Sequence, residues 1–337
     1  MIWVAWRQHR TLMLWGAVAV AAMTLFLIPT GIGMSHFFTS SGLARCLSTV
    51  GADCGDLGQQ FDSRYSGYAF LVPLFLMAPV LFGMFFGAPL IAREMDGGTY
   101  RLAWTQGVSR PRWLSTKLAV VIGSALVGAI ALALLVTWWS RPLITNGASR
   151  FRPGIFDLRG VVPIAYTIFA VMLGVAIGTL IKKTLPAVGV TLVAFAGVRV
   201  GIELFLRQHY MTAKTLTQSL ISSKGPPGAG AADWIIRENT IDRLGHIVSS
   251  GRGPDFGYLA ARCPALAAAG PFPKFATAVP GQADPFAACV QHLGLRDMIV
   301  YQPASRFWTF QWIEFGIFIA LAIGLAVFTV WRTKRLS

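Results

Sequence analysis

The sequence predicts an all-α membrane protein with six transmembrane helices. Three observations lead there. Of 337 residues, 55% are hydrophobic and only 13% are charged, where soluble domains carry about 25% charged residues. Mean hydropathy is +0.59. Several apolar runs reach the ~20 residues needed to cross a hydrocarbon core of about 30 Å. The net charge of +15 does not argue for nucleic acid, because the basic residues border apolar runs, where a membrane surface favours them.

The spans are expected at 11–34, 68–91, 118–139, 161–181, 185–206 and 309–331. The first is read as a signal anchor. Its run from Leu12 to Ile32 exceeds the 7–15-residue core of roughly the size a cleaved signal peptide has, and no small-residue cleavage site is clear.

Arginine and lysine set the orientation. With the N-terminus inside, the inner segments hold twelve of them in about 45 residues, against sixteen in about 155 outside. The 140–160 loop dissents, since Arg141, Arg150, Arg152 and Arg159 then lie outside. Tryptophans sit near the expected span edges: Trp3 and Trp6 before the first, Trp138 and Trp139 closing the third, Trp308 and Trp312 opening the sixth, Trp331 ending it. Their amphipathic rings favour the interface.

The connecting segments follow in order. An outer loop spans 35–67. An inner segment, 92–117, carries seven charged residues between two strongly apolar runs. There "DGGT" (96–99) breaks the preceding span, with Thr99 as an N-cap candidate, and Pro111 disfavours helix at Arg110. Tyr100, Leu102, Ala103, Trp104 and Val108 give the stretch between them a short amphipathic pattern. Such a helix lies on lipid headgroups or docks a cytoplasmic partner. The outer loop 140–160 and the inner turn 182–184 come next. The outer segment 207–308 is rich in Gly, Pro and Ala and has no run long enough to span. It reads as a small outer domain with disordered parts or as a cap, with helical pieces at 231–249 and 283–300.

All four cysteines, Cys46, Cys54, Cys263 and Cys289, fall in outer segments. An even count on an oxidising face points to disulfides. The short-range pairing is Cys46–Cys54 with Cys263–Cys289, one of three connectivities the sequence allows. Metal binding is disfavoured: no C-x-x-C occurs, and the five histidines are scattered.

Within the spans, Arg199 and Glu203 share a helix face, four residues apart. Glu314 lies at similar depth in the sixth span. The three form either a polar patch on a translocation path or an ion pair locking helices. Gly83/Gly87, Gly174/Gly178 and Gly197/Gly201 each make a G-x-x-x-G, favouring close packing within the bundle over a dimer seam.

Catalytic motifs are missing. The dipeptide GK never occurs, so the chain carries no P-loop of its own, and H-E-x-x-H and G-x-S-x-G are absent. The sequence is not read as an enzyme.

The pattern Glu94, Gly98-Thr99, Leu102, Val108-Ser109-Arg110 and Lys117 resembles the first cytoplasmic loop of type-2 ABC transporter permeases. "WRQHR" (6–10) and "YQPASRFWTFQWIE" (301–314) are similar to permeases of the actinobacterial type. The resemblance implies the six-helix fold of G-subfamily-like ABC exporters, with N- and C-termini in the cytoplasm of a bacterial cell. It also implies a homodimer, or a pair with a related permease, and a coupling helix docked on a separate ATPase dimer that binds ATP and Mg²⁺. This chain would then hold no cofactor. The docking set carried over is Glu94, Gly98, Thr99, Leu102, Ser109 and Arg110, with Trp104 on the same short helix. The expected cargo is hydrophobic or amphipathic, and export is expected over import. The pre-span segment is shorter, and the outer segment longer, than the pattern leads one to expect. Two alternatives stand: a membrane-anchored structural or signalling protein whose outer segment binds a ligand, and an ion-coupled transporter using Arg199, Glu203 and Glu314.

Overall fold

The computed structural model describes residues 2–49, 52–97, 110–145, 149–220, 232–251, 253–264 and 285–335. Among them are six helices long and apolar enough to cross a membrane: Met13–Ser40, Leu71–Asp96, Ser115–Trp139, Val162–Ile181, Thr184–His209 and Ala304–Lys334, here called spans 1 to 6. The first belongs to a 39-residue helix, Ile2–Ser40, and the third to a helix that starts at Arg110. Helix therefore covers the expected inner segment 92–117 up to Asp96 at one end and from Arg110 at the other, and the short amphipathic helix expected between them lies outside the described residues.

The chain divides into two compact units. One contains Met1–Ala148, Arg152–Tyr210 and Phe307–Ser337; the other contains Ser149–Phe151 and Met211–Arg306.

In the first unit, span 4 is the core element. Most of its side chains, from Val162 to Thr179, are buried, and it packs on spans 2, 3, 5 and 6. Glycine makes the tightest of these contacts. A Cβ on Gly83 would lie 2.4 Å from the Ala170 carbonyl oxygen, and one on Gly87 would lie 2.4 Å from that of Val171. From the other side, a Cβ on Gly174 would lie 2.4 Å from Gly83 O, and one on Gly178 2.6 Å from Ala88 O. The two glycine pairs therefore face each other, and only a missing side chain lets the backbones of spans 2 and 4 touch. Span 2 has a π turn over Gly83–Gly87 at this contact. A Cβ on Gly197 or Gly201 would meet nothing within 4 Å, so among the described residues the third motif makes no close helix contact.

Two apolar cores flank this contact. One gathers Leu27, Phe61, Tyr65, Phe75 and Trp139; the other gathers Phe86, Ile91, Trp113, Val121 and Val175. Trp139 Nε1 donates to Thr30 Oγ1 at 3.0 Å, joining spans 1 and 3. The segment after span 1 forms helices Leu43–Ser48 and Gly55–Tyr65, bridged by a Cys46–Cys54 disulfide.

The second unit corrects a sequence expectation. Where helix was expected over 231–249, the chain forms two strands, and 283–300 is helix only in its first part. Strands β1 (Lys214–Ser219), β2 (Trp234–Ile241), β3 (Ile247–Ser250) and β4 (Arg296–Gln302) form one antiparallel sheet in the order β1-β4-β2-β3. β4 carries "MIVY", the β-branched and aromatic composition that suits a pleated surface. The β2–β3 turn is shaped by Asp242, whose Oδ1 accepts from Leu244 N at 2.8 Å and His246 N at 2.9 Å. Helices Phe256–Arg262 and Pro285–Leu293 are linked by a Cys263–Cys289 disulfide. Leu259, Cys289, Val290 and Leu295 form a small core. Of the three possible connectivities, both disulfides take the short-range one.

Candidate functional site

The site begins with Gln311 of span 6. Span 4 starts at Val162, and its first N–H groups have no helical partner. Gln311 supplies one: its Oε1 accepts from Val161 N at 3.1 Å and Val162 N at 3.2 Å, while its Nε2 donates to Phe156 O at 2.9 Å. Gly160 permits this approach. Its φ is +70°, and a Cβ there would lie 2.6 Å from Gln311 Oε1. The cap fixes the end of span 4 and the short helix Ile155–Leu158 before it.

That helix carries Asp157 inward. Asp157 Oδ2 accepts from Gly154 N at 3.1 Å, and its side chain is fully buried. Around it lie Tyr166 of span 4, Arg199, Glu203 and Arg207 of span 5, and Glu314 of span 6. Arg207 is the hub. Its Nε and Nη2 donate to Glu314 Oε2 at 2.9 Å and Oε1 at 2.8 Å, a bidentate pair, and Nη2 also reaches Asp157 Oδ1 at 2.5 Å. Planar, forked guanidinium suits such pairing. Tyr166 has one hydroxyl proton and two acceptors in reach, Glu314 Oε1 at 2.5 Å and Asp157 Oδ1 at 3.0 Å. Tyr210 donates to Glu314 Oε2 at 3.2 Å. Burial alone would raise the Asp157 carboxyl, but the Arg207 and Arg199 charges outweigh it and hold Asp157 below the usual carboxylate range.

Arg199 is held differently. Its Nη2 lies 2.7 Å from Asp157 Oδ2, but off the hydrogen-bond axis, and its guanidinium sits 5.2 Å from the Tyr166 ring centroid. Among the described residues Glu203 makes only long contacts, 3.7 Å to Arg199 and 4.0 Å to Arg207. An aromatic floor closes one side: Tyr166 meets Phe318 edge-on at 4.6 Å, and Phe169 meets Phe318 at 5.2 Å and Phe195 at 6.0 Å.

The backbone of span 5 explains how both arginines reach Asp157. Eight α-helical steps would rotate Arg207 about 80° away from Arg199. A π turn over Ile202–Leu206 intervenes. Its extra residue takes back about 100°, returning Arg207 to within roughly 20° of Arg199.

The sequence expectation joined Arg199, Glu203 and Glu314. The structure brings all three into one cluster, though Arg199 and Glu314 do not pair directly. Arg207, Asp157 and Tyr166 were missed. Arg207 follows the last apolar residue of its run and was assigned to the outer segment; Asp157 fell in the 140–160 loop. A usable signal existed: Arg199, Glu203 and Arg207 repeat at four-residue spacing, and Asp157 is the lone acid among four arginines in its loop.

A second charged contact lies at the other end of the bundle. Lys117 of span 3 pairs with Glu94 of span 2, and its Nζ sits 4.7 Å from the Trp113 ring centroid. Both charged side chains are largely buried. Of the other residues expected to dock a partner, Gly98, Thr99, Leu102, Trp104 and Ser109 lie outside the described residues, and Arg110 is the first residue of its helix.

A family model described as ABC-2 membrane transporter related matches residues 17–207, more than half of the chain. The chain belongs to that family. The match runs from within span 1 to Arg207, near the end of span 5, so four of the five charged residues of the cluster fall inside it and Glu314 lies beyond it. No curated protein and no solved structure gave a match. The chain is thus a multi-pass membrane protein of the ABC-2 transporter-related family, with its ion cluster at one end of the bundle and the Glu94–Lys117 pair at the other.

Proposed function

We propose that this chain is the permease subunit of an ATP-driven ABC transporter, working as a pair on two separate ATPase subunits and exporting a hydrophobic or amphipathic molecule. The observation that supports this is family membership over residues 17–207, joined to a sequence with no P-loop. In this reading ATP and Mg²⁺ bind the ATPase, and this chain carries neither cofactor nor catalytic residue. Both termini lie in the cytoplasm of a bacterial cell. The 211–306 unit then faces the outside, where disulfides persist.

The physical case is one of force transmission. A permease without a nucleotide site needs a stiff contact at its inner end and a bundle that does not absorb the motion. Glu94–Lys117 ties spans 2 and 3 on either side of the inner segment. Backbone contact welds span 2 to span 4, and the ion cluster joins spans 4, 5 and 6. A push on the 98–109 segment then moves these helices together, with Leu102, Trp104 and Arg110 as the docking surface.

The test is purification of the chain from native membranes under mild detergent. A soluble P-loop ATPase is expected to come with it, and Leu102→Asp or Arg110→Glu to release that ATPase while the chain still inserts. Purification without any ATPase would overturn the proposal.

A further inference from the structure

We infer that Glu203 is the contact point for an organic cation carried on an apolar body. The cluster holds three carboxylates, Asp157, Glu203 and Glu314, and two guanidiniums, Arg199 and Arg207, so with all five ionised one negative charge is in excess. Geometry assigns that excess to Glu203. Arg207 is committed to Glu314 and Asp157, and Arg199 to Asp157, at 2.5–2.9 Å. Glu203 is left with contacts of 3.7 and 4.0 Å and, among the described residues, accepts no hydrogen bond. It is also the one carboxylate of the three that reaches the surface, with 21% of its side chain exposed against 0% for Asp157 and 1% for Glu314.

The surroundings define the partner. Around Glu203 on the same helix, Val200, Leu204, Phe205 and Leu206 are 47–69% exposed. A recessed, weakly compensated carboxylate in an apolar surface favours a cation that brings its own apolar surface. A metal ion fits poorly, because calcium asks for six to eight oxygen ligands of roughly equal reach, and here the oxygens of Asp157 and Glu314 are taken up by arginine and tyrosine. An anion on Arg199 fits worse, since it would deepen the negative excess. The proposal deepens the transporter reading by naming a substrate charge, and rests on that reading only for the step of export.

The test is equilibrium binding to the full-length chain in nanodiscs of zwitterionic lipid, with empty discs subtracted. The probes are tetraphenylphosphonium and tetraphenylborate, which share a shape and differ in the sign of their charge. The wild type is expected to bind the cation at least about tenfold more tightly than the anion, as one charge-assisted contact implies. Glu203→Gln should abolish that preference, and Glu203→Asp should keep most of it. Equal binding of both ions, binding no better than empty discs, or an unchanged preference in Glu203→Gln would overturn the inference. The wild-type comparison stands even where a variant misfolds. A chain that brings an ATPase through purification but shows no charge preference loses this inference alone; one that prefers the cation without an ATPase loses the transporter reading alone.

Discussion

Arg207 grips Glu314 with two nearly equal hydrogen bonds, at 2.9 and 2.8 Å, although 107 residues separate them. Both side chains are almost completely buried. Removing one partner of such a pair strands the other charge, at a cost of about 3–5 kcal/mol. Arg207→Leu is therefore expected to lower the thermal unfolding midpoint of the detergent-solubilised chain sharply. Arg207→Lys should be intermediate, because an ammonium lacks the planar fork. A midpoint within a degree or so of wild type for Arg207→Leu would contradict this account.

Spans 2 and 4 touch through backbone at Gly83, Gly87, Gly174 and Gly178. Gly174→Ala would push a methyl group against backbone that cannot yield locally, a loss of about 1–3 kcal/mol or more. Gly201→Ala meets open space and should be neutral or gain up to about 1 kcal/mol from helix propensity. The ratio of monodisperse to aggregated protein on size exclusion, with the unfolding midpoint, separates the two.

Lys117 and Glu94 lie largely out of solvent. Lys117→Met or Glu94→Gln should each cost about 1.5–3 kcal/mol, as loss of a hydrogen bond to a charged group does. The exchange Glu94→Lys with Lys117→Glu should recover part of it. Retention of the proposed ATPase partner, measured beside stability, reads whether the pair also positions the proposed docking segment. Three unaltered stabilities would remove the pair from the argument.

The two disulfides close loops with sequence separations of 8 and 26. In the chain-entropy model they contribute about 2.5 and about 3.5 kcal/mol to their own loops. Peptide mapping without reduction should recover Cys46 linked to Cys54 and Cys263 linked to Cys289. Cys263→Ser with Cys289→Ser should speed proteolysis of the second unit and leave digestion of the spans unchanged.

The spans are legible in the sequence because a bilayer demands an uninterrupted apolar run, a constraint composition alone reveals. The ion cluster was half legible. Arg199 and Glu203 interrupt an apolar helix and announce themselves. Arg207 sits one step past Leu206, where a charged residue reads as interfacial, and only the π turn brings it back in phase; composition does not encode that turn. Asp157 was hidden because a loop reading gives no sign that the chain folds inward there. The sheet was missed for a different reason. The stretch around "WIIRENTI" spaces its apolar residues in a way a helix or a strand can use, and a short run does not decide between them. Long-range pairing with β4 decided it.

The long segment of the second unit, Met211–Arg306, is entered and left at a single place, beside the separate piece Ser149–Phe151. Arg306 Nη1 donates to Thr212 O at 2.7 Å and Gln302 Nε2 to Met211 O at 2.7 Å, so the two chain ends of this segment are stitched side by side. An insertion whose ends already meet costs its host little loop-closure entropy. A few residues joining Tyr210 to Phe307 would do the topological work of the whole segment, at the cost of the partners on which Ser149–Phe151 packs, Phe151 stacking on Trp234 at 5.7 Å. The segment is thus an insertion in the topological sense, held at one paired entry and exit between spans 5 and 6.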